Sequence, residues 1–196
     1  LDVQVACLAN QAMNYLTTGV SPTRLGNAHP NIVPYQDFPS ADGNFILAVG
    51  NDGQFRKFCE VAGIANLADD PRFVTNKARV AHRAELIPLL RQATVFKTTA
   101  QWIELLEKAG VPCGPINDLQ QVFADPQVEA RAMVKSWPHP LKDPLRLVAS
   151  PLKLSATPVR NDLPPPLLGQ HTEEVLCDWL NAPAERLSEL QQRGIV

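Results

Sequence analysis

The sequence lacks an excess of charge of either sign, and this excludes two classes of partner. Its 18 lysines and arginines nearly balance 20 aspartates and glutamates, for a formal net charge of -2. A face that binds nucleic acid needs clustered positive charge, and so does a surface that binds anionic lipid. We therefore expect neither nucleic acid nor membrane among the partners.

Cysteine is also sparse, and long hydrophobic runs are missing. The cysteines lie far apart and form no Cys-x-x-Cys pair: Cys7, Cys59, Cys113 and Cys177. Neither a zinc ribbon nor a thioredoxin-type site is encoded, and the four histidines have no spacing that predicts a metal site. Polar residues such as Asp2 interrupt the apolar start at 1–16, which excludes a signal peptide or membrane span there. The scattered thiols predict a reduced, cytoplasmic protein without metal.

Standard catalytic signatures are missing as well. The sequence contains no Walker A, GxGxxG, HExxH or GxSxG motif. Glycine is scarce, at 10 residues, whereas proline is abundant, at 18 of 196, against an average of roughly 5%. Because 45% of the residues are hydrophobic, disorder is excluded, and we interpret the proline-rich stretches as stiff connections.

Apolar spacing predicts helices and a few short strands, in runs rather than in strict alternation, which indicates an α+β fold. Asp42-Gly43 between two apolar runs predicts a β-hairpin, and Thr98 with Gln101 predicts a capping box at a helix start. The longer predicted helices cover residues 3–16, 52–62, 75–92 and 98–109. The chain opens at Leu1 inside a helical pattern, which favours a piece of a longer protein.

A proline-rich segment between the first helix and the hairpin is the first candidate site. Gly26-Asn27 can bring backbone close to a ligand, and His29 and Asn31 offer hydrogen-bond donors. One interpretation is a loop that covers a substrate. The other is a rigid connector that the neighbouring prolines stiffen, and spacing alone does not separate the two.

Two further candidates favour structural roles. Cys113 has no neighbouring histidine or lysine that would lower its pKa, so we interpret it as a buried structural cysteine. Glu173 and Glu174 lie in the first turn of a predicted helix, where the helix dipole favours anions. A terminal helix behind a stiff linker accounts for both residues.

Four segments, in this order and spacing, resemble the class III CoA-transferases, the carnitine dehydratase, bile-acid-inducible and formyl-CoA transferase type. They are LGNAHPNIVPYQDF, the following ADG hairpin, AGVPCGPINDLQQVFADPQVEARAM and PPPLLGQHTEEVL, which together cover residues 25–176. Within the family, VPYQDF and PPPLLGQHTEEVL are most similar to the branch that uses short dicarboxylates such as succinate and glutarate.

The resemblance implies a transfer of coenzyme A between an acyl-CoA and a small carboxylic acid. In the family, an aspartate in a Gly-Asp-x-x-Gly turn attacks the acyl-CoA thioester and passes through an anhydride to an aspartyl-CoA intermediate. No such turn occurs in this sequence. We therefore expect the nucleophile upstream of Leu1, no catalytic residue in this chain and no activity of the 196 residues alone.

The resemblance also implies an architecture, in which the chain is the C-terminal half of its protein. Residues 1–34 would belong to a Rossmann-like large domain, 35–140 would form a small α+β domain, and 141–196 would return to the large domain. Family members form interlocked homodimers. A glycine-bearing loop of the family closes over the thioester, and Gly26, Asn27, His29 and Asn31 occupy that region here, which makes them the predicted substrate-binding residues.

Two alternatives stay open on the sequence. The fold family includes α-methylacyl-CoA racemases, whose His/Asp proton-transfer pair would also lie upstream. The chain by itself could instead be a non-catalytic interaction module.

Overall fold

The structure, a computed structural model, describes residues 1–160 and 162–196. The chain divides into two compact units, Leu1–Ile116 and Asn117–Val196. The predicted boundaries at 34 and 140 concern domains of a longer protein, and they stay a prediction.

An antiparallel sheet of three strands, in the order β1-β2-β3, organises the first unit. In the first hairpin, Phe38 pairs with Phe45, and the Ser40 N–H donates to the Gly43 carbonyl at 2.9 Å. The hairpin predicted around Asp42-Gly43 is thus confirmed. The strands are β1 (Tyr35–Pro39), β2 (Asn44–Ala48) and β3 (Cys113–Pro115).

Six helices accompany this sheet among the described residues of the first unit. Thr98 and Gln101 form the predicted capping box, because a threonine side chain accepts from the third helical N–H while glutamine reaches back. The helices are α1 (Asp2–Ala6), α2 (Ala9–Thr18), α3 (Asp52–Ala62), α4 (Asn76–Ala81), α5 (Arg83–Thr94) and α6 (Thr99–Ala109), with a 3-10 turn at Ala65–Ala68.

Two helices predicted as continuous are broken in the structure. The segment 3–16 divides into α1 and α2, and Ala9 takes a positive φ of 42° at the break. The segment 75–92 divides at His82, whose backbone leaves the helical region at φ -106° and ψ 25°. His82 Nδ1 lies 2.9 Å from the Ala78 carbonyl, and a side chain that competes for a helix carbonyl favours such an interruption.

The hydrophobic core of the first unit lies between the sheet and α3, α5 and α6. Trp102 of α6 is fully buried and stacks on Phe45, with ring centroids 5.6 Å apart. The other large buried apolar side chains are Val33, Phe38, Leu47, Phe55, Phe58, Phe73, Leu86, Leu90 and Leu106. This core fixes β1 and α5, which border the predicted loop.

The second unit has short elements and little buried apolar surface. Of its described hydrophobic residues, Ala149 and Leu187 are buried, at 5% and 9% exposure. A π-helical turn covers Glu174–Trp179. The other elements are α7 (Leu119–Phe123), α8 (Pro126–Ala130), the antiparallel strands β4 (Val134–Trp137) and β5 (Leu145–Val148), and α9 (Ala184–Gln192).

Each helix within residues 1–160 and 162–196 falls short of the length and apolarity needed to cross a bilayer.

Candidate functional site

The predicted loop lies between α2 and β1 and contains a tight turn at Gly26. The Ala28 N–H donates to the Leu25 carbonyl at 3.1 Å, and Gly26 has a φ of +63°. This left-handed conformation favours glycine, which has no Cβ. The turn therefore depends on the glycine that the sequence places there.

Polar contacts from two helices fix the loop. Nη2 of Arg83, at the start of α5, donates to the carbonyls of His29 at 2.7 Å and Pro30 at 2.9 Å. The Asn76 side chain of α4 donates to the Asn31 carbonyl at 2.8 Å and accepts from the Val33 N–H at 3.1 Å. Both helices belong to the packed part of the first unit, so they hold the loop in one conformation.

His29 and Asn31 make contacts within this framework. The His29 ring stacks on Tyr35 with centroids 5.4 Å apart, and its Nδ1 accepts from the Asn31 N–H at 3.1 Å. The Asn31 side-chain amide donates to Asn14 Oδ1 at 3.0 Å and accepts from Asn14 Nδ2 at 3.4 Å. Since Nδ1 accepts, the neutral ring carries its proton on Nε2.

A cavity of about 670 Å³ lies beside the turn. Gly26 and Asn27 line it, together with Gln36 and Asp37 of β1, whereas His29 and Asn31 lie outside its lining. The remaining lining residues are Leu25, Ala28, Arg83, Ala84, Ile87, Pro88 and Arg91. Its volume is in the range of small-molecule sites. The structure thus brings two of the four predicted residues to one cavity, and places the other two in the framework behind it.

Two arginines of α5 give this cavity its charge. Nη2 of Arg91 lies 3.6 Å from Oδ2 of Asp37. Arg83 is half-buried, and removal from water lowers the pKa of its guanidinium, because burial disfavours the charged form. Sequence analysis missed both arginines. Their spacing on the predicted helix 75–92 was visible, but 54 residues separate Arg91 from Asp37 and Arg83 from His29, and no local pattern reports such a contact.

The other candidates, Cys113, Glu173 and Glu174, lie outside the lining of this cavity. Burial raises the pKa of the Cys59 thiol to about 12 and raises that of the half-buried Cys113, so neither is a ready thiolate nucleophile. Oε2 of Glu174 lies 2.9 Å from His171 Nδ1, on the surface. Throughout the described ranges, no group of three or more His, Cys, Asp or Glu side chains could hold a metal ion.

Comparison with protein families decides the wider assignment. The model of CoA-transferase family III matches residues 1–172. The chain belongs to CoA-transferase family III. The resemblance found in the four sequence segments is thereby confirmed.

Curated relatives of this family III chain carry transferase names. The succinate–glutarate CoA-transferase of Agrobacterium fabrum is 48% identical over 178 residues, which are 91% of this chain and 44% of that protein. The succinyl-CoA:glutarate CoA-transferase of Homo sapiens is 38% identical over 196 residues, which are 100% of this chain and 45% of that protein. The chain therefore spans less than half the length of these relatives.

A solved structure supports the fold of the family III chain. The crystal structure of a CaiB/BaiF family protein from Brucella suis is 45% identical, with a TM-score of 0.75, and covers 88% of this chain and 44% of that one. The predicted mixed α/β small domain is confirmed by this likeness.

Proposed function

We propose that the protein containing this chain transfers coenzyme A between an acyl-CoA and a small dicarboxylic acid. Membership of CoA-transferase family III supports this proposal. So do the names of relatives, which include succinate–glutarate and succinyl-CoA–D-citramalate transferases. The observation that carries it is the cavity where the Gly26–Asn27 turn faces two arginines, since a dicarboxylic substrate keeps a negative charge outside the reacting group.

In this proposal the chain shapes the substrate site and supplies no nucleophile. The attacking aspartate lies upstream of Leu1 and forms the aspartyl-CoA intermediate. Gly26 and Asn27 would contact the substrate directly, because both line the cavity. His29 and Asn31 would act by holding the turn through their contacts with Tyr35 and Asn14. Acyl-CoA and the carboxylic acid are the substrates, and the reaction requires no metal.

The architecture that we propose for the whole protein is an interlocked homodimer in the cytoplasm, with a Rossmann-like large domain. Residues 1–34 and 141–196 would dock on that large domain, and 35–140 would form the small one. Exposed apolar side chains of α1, α2 and the link between them support the first docking: Val3, Val5, Leu8, Met13 and Leu16 are all more than half exposed, and neither helix has a buried residue.

The test compares the full-length protein with the 196-residue chain. Both are incubated with succinyl-CoA and glutarate, and glutaryl-CoA is measured by chromatography and mass spectrometry. We expect product from the full-length protein and none from the chain alone.

Four other outcomes would count against parts of the proposal. Product from the pure chain would contradict an upstream nucleophile. A full-length protein that transfers CoA to no dicarboxylate would contradict the transferase assignment, and epimerisation of an α-methylacyl-CoA would identify a racemase instead. Replacement of the aspartate in an upstream Gly-Asp-x-x-Gly turn by asparagine should abolish turnover, and unchanged turnover would exclude the aspartyl intermediate.

A further inference from the structure

Two cations and one apolar side chain form a stripe along α5 that faces the cavity. Arg83, Ile87 and Arg91 all line it. Residues four apart lie on the same helix face, one turn above the other. The stripe therefore presents a positive charge at each end with an aliphatic surface between them.

Arg83 lacks a carboxylate partner among the described residues. Its Nη2 bonds two backbone carbonyls, of His29 and Pro30, while Arg56, Arg72, Arg79 and Arg91 each have an aspartate or glutamate within 4.0 Å. Carbonyl groups stabilise a guanidinium through hydrogen bonds but do not neutralise it. A half-buried charge without a counter-ion is unfavourable, so an anion beside Arg83 would relieve this cost.

Arg91 is only loosely engaged by Asp37. The distance of 3.6 Å between Nη2 and Oδ2 exceeds the 2.7–2.9 Å that is usual for a strong charge-assisted hydrogen bond. With Arg83 and Arg91 positive and Asp37 negative, the cavity lining carries one net positive charge. The electrostatics of the cavity thus favour a singly charged anion.

We propose that this cavity binds the free carboxylate of the dicarboxylic substrate, with Arg83 as its ion partner and Arg91 as the second cation. The proposal rests on the proposed function. The two arginines are eight positions apart on the helix, or about 12 Å between their Cα atoms. Because Arg91 already has Asp37 as a carboxylate partner and Arg83 has carbonyl partners instead, the free carboxylate binds at Arg83, and the aliphatic chain lies on Ile87 or the turn. The second carboxylate is then free to react with the aspartyl-CoA thioester.

The guanidinium of Arg83 connects the cavity to the loop. Arg83 donates to the loop carbonyls through Nη2 alone, so its Nε and Nη1 groups stay available to an anion. Among the described residues, no buried side-chain nitrogen or oxygen lacks a partner, which places those two groups within reach of solvent. The same guanidinium thus holds the loop and offers donors to a ligand.

The experiment uses the full-length protein and two acceptors that differ by one carboxylate, glutarate and pentanoate, with succinyl-CoA as the donor. Kinetics are measured for the wild type, Arg83→Gln, Arg83→Lys, Arg91→Gln and the control Arg56→Gln. Arg56 is a half-exposed arginine with its own partner, Asp69, and lines none of the cavity. Direct binding of both acids to wild type and Arg83→Gln is measured by calorimetry.

We expect Arg83→Gln to lower the ratio of kcat/KM for glutarate over pentanoate by about 10- to 100-fold, the effect of losing a hydrogen bond to a charged group. Arg83→Lys should restore part of the ratio, Arg91→Gln should lower it less, and Arg56→Gln should leave it unchanged. Calorimetry should show weaker glutarate binding to Arg83→Gln and unchanged pentanoate binding.

Other results would overturn the proposal. An equal loss of activity with both acceptors would mean that Arg83 only holds the loop. A raised KM for succinyl-CoA with an unchanged ratio would assign the cavity to a phosphate of CoA. Lower thermal stability with unchanged kinetics would mean that Arg83 stabilises the fold through the loop carbonyls and binds no substrate carboxylate. If the wild type transfers no CoA, the proposed function fails, and the calorimetry still decides whether Arg83 binds the extra carboxylate.

Discussion

The guanidinium of Arg79 joins three separate segments of the first unit. It is fully buried, and it donates to the carbonyls of Val33 at 2.6 Å and Phe73 at 2.9 Å and to Oδ1 of Asp52 at 2.8 Å. It also lies 4.4 Å from the centroid of the Phe55 ring. Val33 ends the predicted loop, so this one side chain fixes where the loop meets β1.

We expect Arg79→Leu to lower the free energy of unfolding by about 2–5 kcal/mol, since each buried group left without its hydrogen-bond partner costs about 1–3 kcal/mol, whereas Asp52, with its side chain 53% exposed, stays solvated. The reason is that two backbone carbonyls lose their donor in the interior. Urea denaturation of the 196-residue chain measures the change.

Arg56→Leu is the matched control for this measurement. The Arg56–Asp69 pair has a similar distance, 2.7 Å, but both side chains are largely exposed. A half-exposed pair contributes about 0–1 kcal/mol. Equal destabilisation by the two variants would show that burial is not what makes Arg79 important.

Elements whose signals are local could be predicted from the sequence. The hairpin around Asp42-Gly43 and the capping box of Thr98 and Gln101 depend on residues within a few positions of each other, and both are confirmed. The break at His82 and the positive φ of Ala9 could not be predicted, because neither position carries a glycine or proline. The family was identified from whole segments, whereas the cavity depends on contacts between residues more than 50 positions apart.

Asp42 connects the first hairpin to the start of α6, and its ionisation predicts that the stability of the fold depends on pH. Its Oδ1 accepts from the Thr99 N–H at 2.8 Å and from Ser40 Oγ at 2.9 Å. The hydrogen bond from the Thr99 backbone is the largest cause that lowers the pKa of Asp42 from 3.8, and the hydrogen bond from the Ser40 side chain is the second. A lowered pKa in the folded state gives stability that is present above the unfolded-state pKa and is lost as the pH falls through the folded-state value.

We therefore expect Asp42→Asn to be less stable than the wild type at neutral pH, and the difference to shrink below pH 3.8. Urea denaturation of both proteins from neutral pH to about pH 3 checks this. Ser40→Ala serves as a control that removes the hydrogen bonds of the Ser40 hydroxyl with Asp42 and Thr99 but no charge. A difference between Asp42→Asn and wild type that stays constant with pH would contradict a role for the ionised carboxylate.

At the scale of the whole molecule, apolar side chains of α1, α2 and the link between them are exposed to water. Leu8, Met13 and Leu16 are 53%, 62% and 75% exposed. Large exposed apolar patches favour association. We predict that the 196-residue chain self-associates, and that Met13→Lys combined with Leu16→Lys reduces this.

Light scattering at increasing concentration measures the association. Val74→Lys is the control, because Val74 is an exposed apolar residue at 42% that lies outside both helices. A wild-type chain that stays monomeric at high concentration would contradict the prediction, and so would equal effects of the control and the double variant.

The uneven distribution of buried surface between the two units also determines what spectroscopy would observe. Trp102 is fully enclosed beside Phe45 in the first unit, whereas Trp179 of the second is 69% exposed. Enclosed indole emits at shorter wavelength than hydrated indole, so the blue edge of the intrinsic fluorescence is weighted towards Trp102 over Trp137, which is half-buried in the second unit, and over Trp179. Because a single unfolding free energy requires coincident transitions from different probes, stability measured at that edge reports mainly on the first unit rather than on the whole chain.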